Sequence, residues 1–172
     1  IPAGFDQCSP GLERYFGTAW FCRIVKIPES FRGKRIILHF EAINYNARVW
    51  INGKMVGENH DAFLPFELPA EDAVRIGEDN YIAVSINNIR EKGQFPLFEG
   101  WYGQGGFLRE ASLVATSREH ISGTFITARP LLGDSGQKGQ LSVRATVLND
   151  NLLPAKVTAL IRVSDPAGRE LA

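Results

Sequence analysis

Apolar and polar residues alternate with a period of two along most of this chain, most plainly over residues 46–57. Val49 and Ile51 fall on one face of an extended segment, with Arg48, Trp50 and Asn52 on the other, the mark of a half-buried strand. Asn52-Gly53 follows directly. That pair tolerates the positive φ angles of a two-residue hairpin turn, so the chain is expected to return through Met55 and Val56. Residues 35–41 alternate in the same way, with Ile36, Leu38 and Phe40 against Ile37, His39 and Glu41, and 80–87 place Ile82, Val84 and Ile86 together. Residues 18–27, rich in aromatic and β-branched types, predict a further strand, with Trp20 and Cys22 read as core. Residues 57–63 read as a solvated loop, and 59–67 lead into a short strand that Pro65 restricts to an edge or a strand start. The pattern predicts a loop over 1–6, turns over 71–78 and a strand over 107–117.

Beyond residue 118 three more strands are expected, over 121–130, 139–149 and 156–163. Gly133-Asp134-Ser135-Gly136 and Asn149-Asp150-Asn151 separate them as turns. No stretch carries a sustained 3.6-residue period, and there is no internal repeat. The segment 88–106 is long, aromatic and glycine-rich, without a strand pattern; loops of that length commonly carry function.

Composition adds bounds. At 172 residues, 44% hydrophobic and 22% charged, the chain has the make-up of an ordinary globular protein. Lys plus Arg equals Asp plus Glu at 19 each, which gives no basic excess to draw nucleic acid or anionic lipid. No apolar run reaches the roughly 18 residues of a membrane-spanning helix. The start at Ile1-Pro2, with neither Met nor a signal-like apolar core, predicts that the true beginning has been cut away or processed. Cys8 and Cys22 form neither a disulfide framework nor a metal-site spacing.

Several of these stretches resemble one family. Val49-Trp50-Ile51-Asn52-Gly53, then Val56-Gly57 and Phe63-Leu64-Pro65-Phe66-Glu67, is similar to the N-terminal sugar-binding jelly roll of glycoside hydrolase family 2. That family holds β-galactosidases, β-glucuronidases and β-mannosidases. Gly17-Thr18-Ala19-Trp20-Phe21 resembles its "Gly-x-Ala-Trp-Tyr-Arg" strand, and 35–43 its "Arg-x-x-Leu-x-Phe-Glu-Gly-Val". Asn80, Ile82 and Val84 resemble its "Asn-x-Leu-x-Val". The run Gly105-Gly106-Phe107-Leu108-Arg109-Glu110 resembles the motif that closes its jelly roll, with Leu108 in place of the usual aromatic. The resemblance implies an all-β chain: a jelly-roll β-sandwich over 1–117, then the first strands of an immunoglobulin-like β-sandwich over 118–172. Such a sandwich takes about 100 residues, so the chain is expected to stop inside it.

Glycoside hydrolysis takes two carboxyl groups facing one another across the bond, and the sequence nominates no such pair. In the resembled family both lie on a TIM barrel in a later domain, so no catalytic residue is expected here, nor any metal ligand or cofactor in this chain. The substrate-binding candidates are Glu99, Trp101 and Tyr102 in the long loop, with Asp61 beside His60. Sugar CH faces stack on aromatic rings while carboxylates accept from hydroxyls; the same residues also fit a loop anchored by Trp101 with Glu99 in solvent. In some family members an Asp at about this place reaches into the barrel's sugar site. Counting back from Arg109 lands on Gly100, or on Glu99 with one inserted residue. Arg109 fits a structural bridge or a sugar contact.

The expected role is therefore a non-catalytic, β-galactosidase-like fragment that buttresses a barrel of the same polypeptide and lends it a loop. Its partners would be that barrel and a carbohydrate at the parent's active site, with no nucleic acid and no membrane. A bacterial polysaccharide-degrading parent would point to the periplasm or the cell exterior. A free-standing carbohydrate-binding module is the alternative, and a structural interaction domain with open strand edges a third.

Overall fold

The computed structural model of the protein describes residues 2–9, 11–90, 105–131 and 138–171. In chain order its elements are β1 (Ala3–Gly4), α1 (Phe5–Cys8), β2 (Thr18–Lys26), β3 (Arg35–Phe40), β4 (Ile43–Asn44), β5 (Asn46–Ile51), β6 (Lys54–Asn59), β7 (Phe66–Pro69), β8 (Asp79–Asn87), β9 (Gly106–Phe107), β10 (Ala111–Thr116), β11 (Glu119–Leu131) and β12 (Lys138–Asn149). Backbone contacts divide them into two units, Ile1–Thr116 and Ser117–Ala172.

The first unit is a jelly-roll sandwich. One layer is the antiparallel sheet β2-β8-β5-β6, the other β10-β3-β7, and a small sheet β1-β9-β4 completes the unit. Alternation decides what each strand buries. Ala47, Val49 and Ile51 of β5 with Val84 and Ile86 of β8 meet Ile36, Leu38 and Phe40 of β3 and Leu68 of β7 in one cluster. Each large aliphatic side chain buried there contributes about 1.5–3 kcal/mol. Phe40 stacks on its cross-strand partner Phe66, ring centroids 4.8 Å apart. β7 pairs with β3 alone, so Pro65 stands just before an edge strand.

The hairpin β5–β6 turns at Asn52-Gly53 with φ of 51° and 84°, as a tight two-residue turn requires. The Asn52 side chain holds the turn down: its amide donates to the Asn80 Oδ1 at 2.8 Å and to the Ala73 carbonyl at 2.9 Å. Its oxygen accepts from the Tyr81 amide at 3.0 Å.

Five expectations are corrected. The segment 1–6 is not a plain loop: Ala3–Gly4 pairs with β9 and Phe5–Cys8 makes one helical turn that buries Phe5. Trp20 and Cys22 are not core. Ala19 and Phe21 pack against the core while Trp20, Cys22 and Ile24 stand exposed. An apolar-rich strand still has two faces, and only one can point inward. The strand expected over 107–117 breaks at 108–110, where the Leu108 and Arg109 amides both donate to the Ala42 carbonyl. The loop placed at 57–63 begins only at His60, since Gly57 to Asn59 belong to β6.

The fifth concerns the second unit, an antiparallel ladder of β11 and β12 with a bulge between Ile121 and Gly123. Residues 156–163 form no strand there; the sole later pairing among the described residues is the bridge Ser164–Glu170. Register puts Ile121, Ile126 and Ala128 on one face with Leu141, Val143 and Val147. Ile126, Leu141 and Val147 are exposed. Two strands alone bury no apolar face, so 156–163 have no sheet to join.

Candidate functional site

The two feet of the long segment after β8 are well defined. At the outgoing foot Asn88 is buried, its amide donating to the Tyr15 carbonyl at 2.7 Å and its oxygen accepting from the Gly17 amide at 2.8 Å. Arg90 then lies over the ring of buried Tyr45, 5.9 Å from its centroid. Burial pushes the Tyr45 phenol up, opposed by Arg90, so Tyr45 remains a neutral hydroxyl at physiological pH. At the returning foot β9 pairs with both β1 and β4. Gly106 there has φ of 126°, and a methyl on it would come within 2.5 Å of the Ala3 carbonyl oxygen. The glycine-rich motif thus serves a close backbone approach.

Of the predicted substrate-binding residues, Glu99, Trp101 and Tyr102 lie outside the described residues. Asp61 is exposed, just past β6, and its carbonyl accepts from the Asn59 side chain at 2.9 Å. Arg109 is exposed and carries its backbone bond to Ala42. Sequence reasoning missed Asn88, Tyr45 and Arg90 as anchors of the loop. The Asn87-Asn88 pair closing an apolar strand was the available signal.

Two polar clusters flank the sheets. Arg48 donates to Glu58 at 3.1 Å, and His60 lies 3.5 Å from the same carboxylate. Arg48 first, then His60, holds the exposed Glu58 carboxyl below its ordinary value. On the other sheet His39 sits between two carboxylates, Glu41 at 3.0 Å and Glu67 at 3.2 Å. The Glu41 hydrogen bond raises His39 above its ordinary value; burial opposes this and Glu67 adds to it. These two carboxylates are each bound to the imidazole between them and stand on an open sheet face, so they are not a free acid and base opposed across a substrate. Among the described residues no three His, Cys, Asp or Glu side chains gather as metal ligands do.

Residues 2–117 match the family model described as glycosyl hydrolases family 2, sugar binding domain. A β-glucuronidase of Formosa agariphila is 28% identical over 98% of this chain and 19% of its own length. A β-galactosidase of Thermoanaerobacter pseudethanolicus is 26% identical over 84% of this chain and 20% of its own length. The crystal structure of a glycosyl hydrolase family 2 member from Bacteroides cellulosilyticus superposes with a TM-score of 0.78 at 27% identity, covering 99% of this chain and 23% of the other. The chain thus spans about a fifth of the length of the curated relatives it matches.

Proposed function

Since the chain belongs to glycosyl hydrolases family 2 through the sugar-binding domain at residues 2–117, we propose that it serves as the non-catalytic jelly roll of a larger glycosidase. The observation that carries this reading is the size of the match: nearly all of this chain aligns with about a fifth of a β-glucuronidase and of a β-galactosidase. The chemistry agrees. Glycoside cleavage needs two opposed carboxyl groups, and the carboxylates of Glu41 and Glu67 are both bound to His39.

In this reading β8 and β9 present the loop 88–106 to a sugar site on a barrel domain of the same polypeptide. Glu99, Trp101, Tyr102 and Asp61 are the residues proposed to bind the substrate there. The jelly roll needs no cofactor of its own for that task. The ladder β11–β12 begins an immunoglobulin-like sandwich over 118–172, in which residues 156–163 become a strand once a facing sheet covers their apolar positions.

The purified 172-residue chain is expected to release no nitrophenol from nitrophenyl β-galactoside or β-glucuronide. The product of the complete reading frame is expected to do so with at least one of them. Measurable turnover by the chain alone overturns the reading.

A further inference from the structure

On the outer face of the sheet β2-β8-β5-β6 one apolar row crosses all four strands, with Ser85, Arg48 and Glu58 in the neighbouring row beside Trp20. Cross-strand register aligns Cys22 of β2, Ala83 of β8, Trp50 of β5 and Met55 of β6 in one row. Trp20 stands on one side of that row, and Ile24 with its partner Tyr81 on the other. Trp20 is 60% exposed and Ile24 65%, while Cys22, Tyr81 and Met55 are exposed as well. The interior of the sandwich takes nothing from these side chains, since Ala19 and Phe21 fill it from the opposite face of β2. Soluble surfaces seldom carry a contiguous apolar patch of this kind without a partner.

We propose that this face is an interdomain interface: a further domain of the same polypeptide docks an uncharged, apolar surface onto Trp20, Cys22, Ile24, Trp50, Met55 and Tyr81. The proposal rests on the glycosidase reading above and adds the surface through which the jelly roll is held. Three observations select that occupant. The indoles of Trp20 and Trp50 are tilted by 38° with centroids 5.1 Å apart, so they do not form the coplanar platform on which a pyranose chain lies flat. The charged groups nearest the row, Arg48 and Glu58, bond each other at 3.1 Å, which leaves the row itself without a charge for a partner to match. The matched relatives are about five times as long as this chain, so in proteins of this kind most of the polypeptide is available to cover such a face.

Cys22 reports on the face from within it. In a Cys8→Ser variant, which leaves Cys22 as the one thiol of these 172 residues, the rate at which the Cys22 peptide gains a maleimide adduct, followed by mass mapping, measures access. In the 172-residue chain Cys22 is expected to react like a free surface thiol. In the product of the complete reading frame the reaction is expected to slow by roughly tenfold or more, because burial withholds the thiolate from the reagent, and to recover in urea. Equal rates in the two proteins overturn the proposal, as does a reading frame that encodes no further domain. Protection of Cys22 in the isolated chain by oligosaccharide overturns it in favour of a glycan surface. Protection accompanied by dimers in sedimentation overturns it in favour of a second copy. Glycosidase activity of the longer protein is scored separately. An active protein with a reactive Cys22 leaves the functional reading standing and removes this interface; an inactive one with a protected Cys22 does the reverse.

Discussion

Phe5→Ala is expected to destabilise the jelly roll by about 3–5 kcal/mol, the cost of deleting a buried aromatic ring. Phe5 is only 2% exposed and belongs to the main core cluster. Its ring stacks on Phe21 at 6.0 Å and meets Tyr15 edge-on at 5.9 Å. Phe21 in turn meets Phe107 of β9 edge-on at 5.0 Å, so the ring links the N-terminal turn to the returning foot of the long loop. Its amide donates to the Gly105 carbonyl at 2.8 Å. A side chain on Gly105 would collide with the same ring, so the ring is packed directly against the Gly105 backbone. Domains of this size hold about 5–15 kcal/mol in total, so the loss is a large fraction. Urea titration should show the midpoint falling by about 2 M at an m-value near 2 kcal/mol/M. A shift below about 0.5 M would mean that the N-terminal segment does not close the core.

Asn80→Ala is expected to cost about 3 kcal/mol by a different route. Asn80 is fully buried, and its side chain makes four hydrogen bonds. The oxygen accepts from the Arg75 amide at 2.7 Å and from Asn52 at 2.8 Å. The amide donates to the carbonyls of Arg75 at 2.8 Å and Glu78 at 2.9 Å. Alanine would strand these partners, and each unsatisfied buried group costs about 1–3 kcal/mol, with some recovered by water. The turn at 71–78 and the tip of the β5–β6 hairpin depend on the same side chain, so they should loosen together. Hydrogen exchange should show the amides of Arg75 and Tyr81 losing protection by about two orders of magnitude, the equivalent of that cost. Loss at Arg75 alone would contradict the shared network.

Much of the sandwich was legible because burial on one face writes an alternating pattern into a strand. The hairpin 46–59 is the clearest case, where the alternation of Arg48 to Ile51 ends on Asn-Gly and the φ angles agree. Trp20 and Cys22 were misplaced because a strand composed almost wholly of apolar residues hides which face looks inward. Residues 156–163 carry a strand pattern, yet a pattern states only what a segment could bury, and a two-stranded ladder offers no facing sheet. The Asn80 network was invisible for another reason: its partners are backbone groups, which leave no mark on the sequence. Of the candidate site, Asp61 lies exposed just past β6, while the anchors Asn88, Tyr45 and Arg90 emerge only from the fold.

The central claim is that the bond-breaking carboxylates belong to another part of the polypeptide. A fluorinated glycoside that leaves a stable glycosyl ester on the attacking carboxylate, followed by peptide mass mapping of the complete gene product, locates that residue directly. The account predicts an adduct on an Asp or Glu outside this 172-residue sequence. An adduct on any carboxylate within them would contradict it.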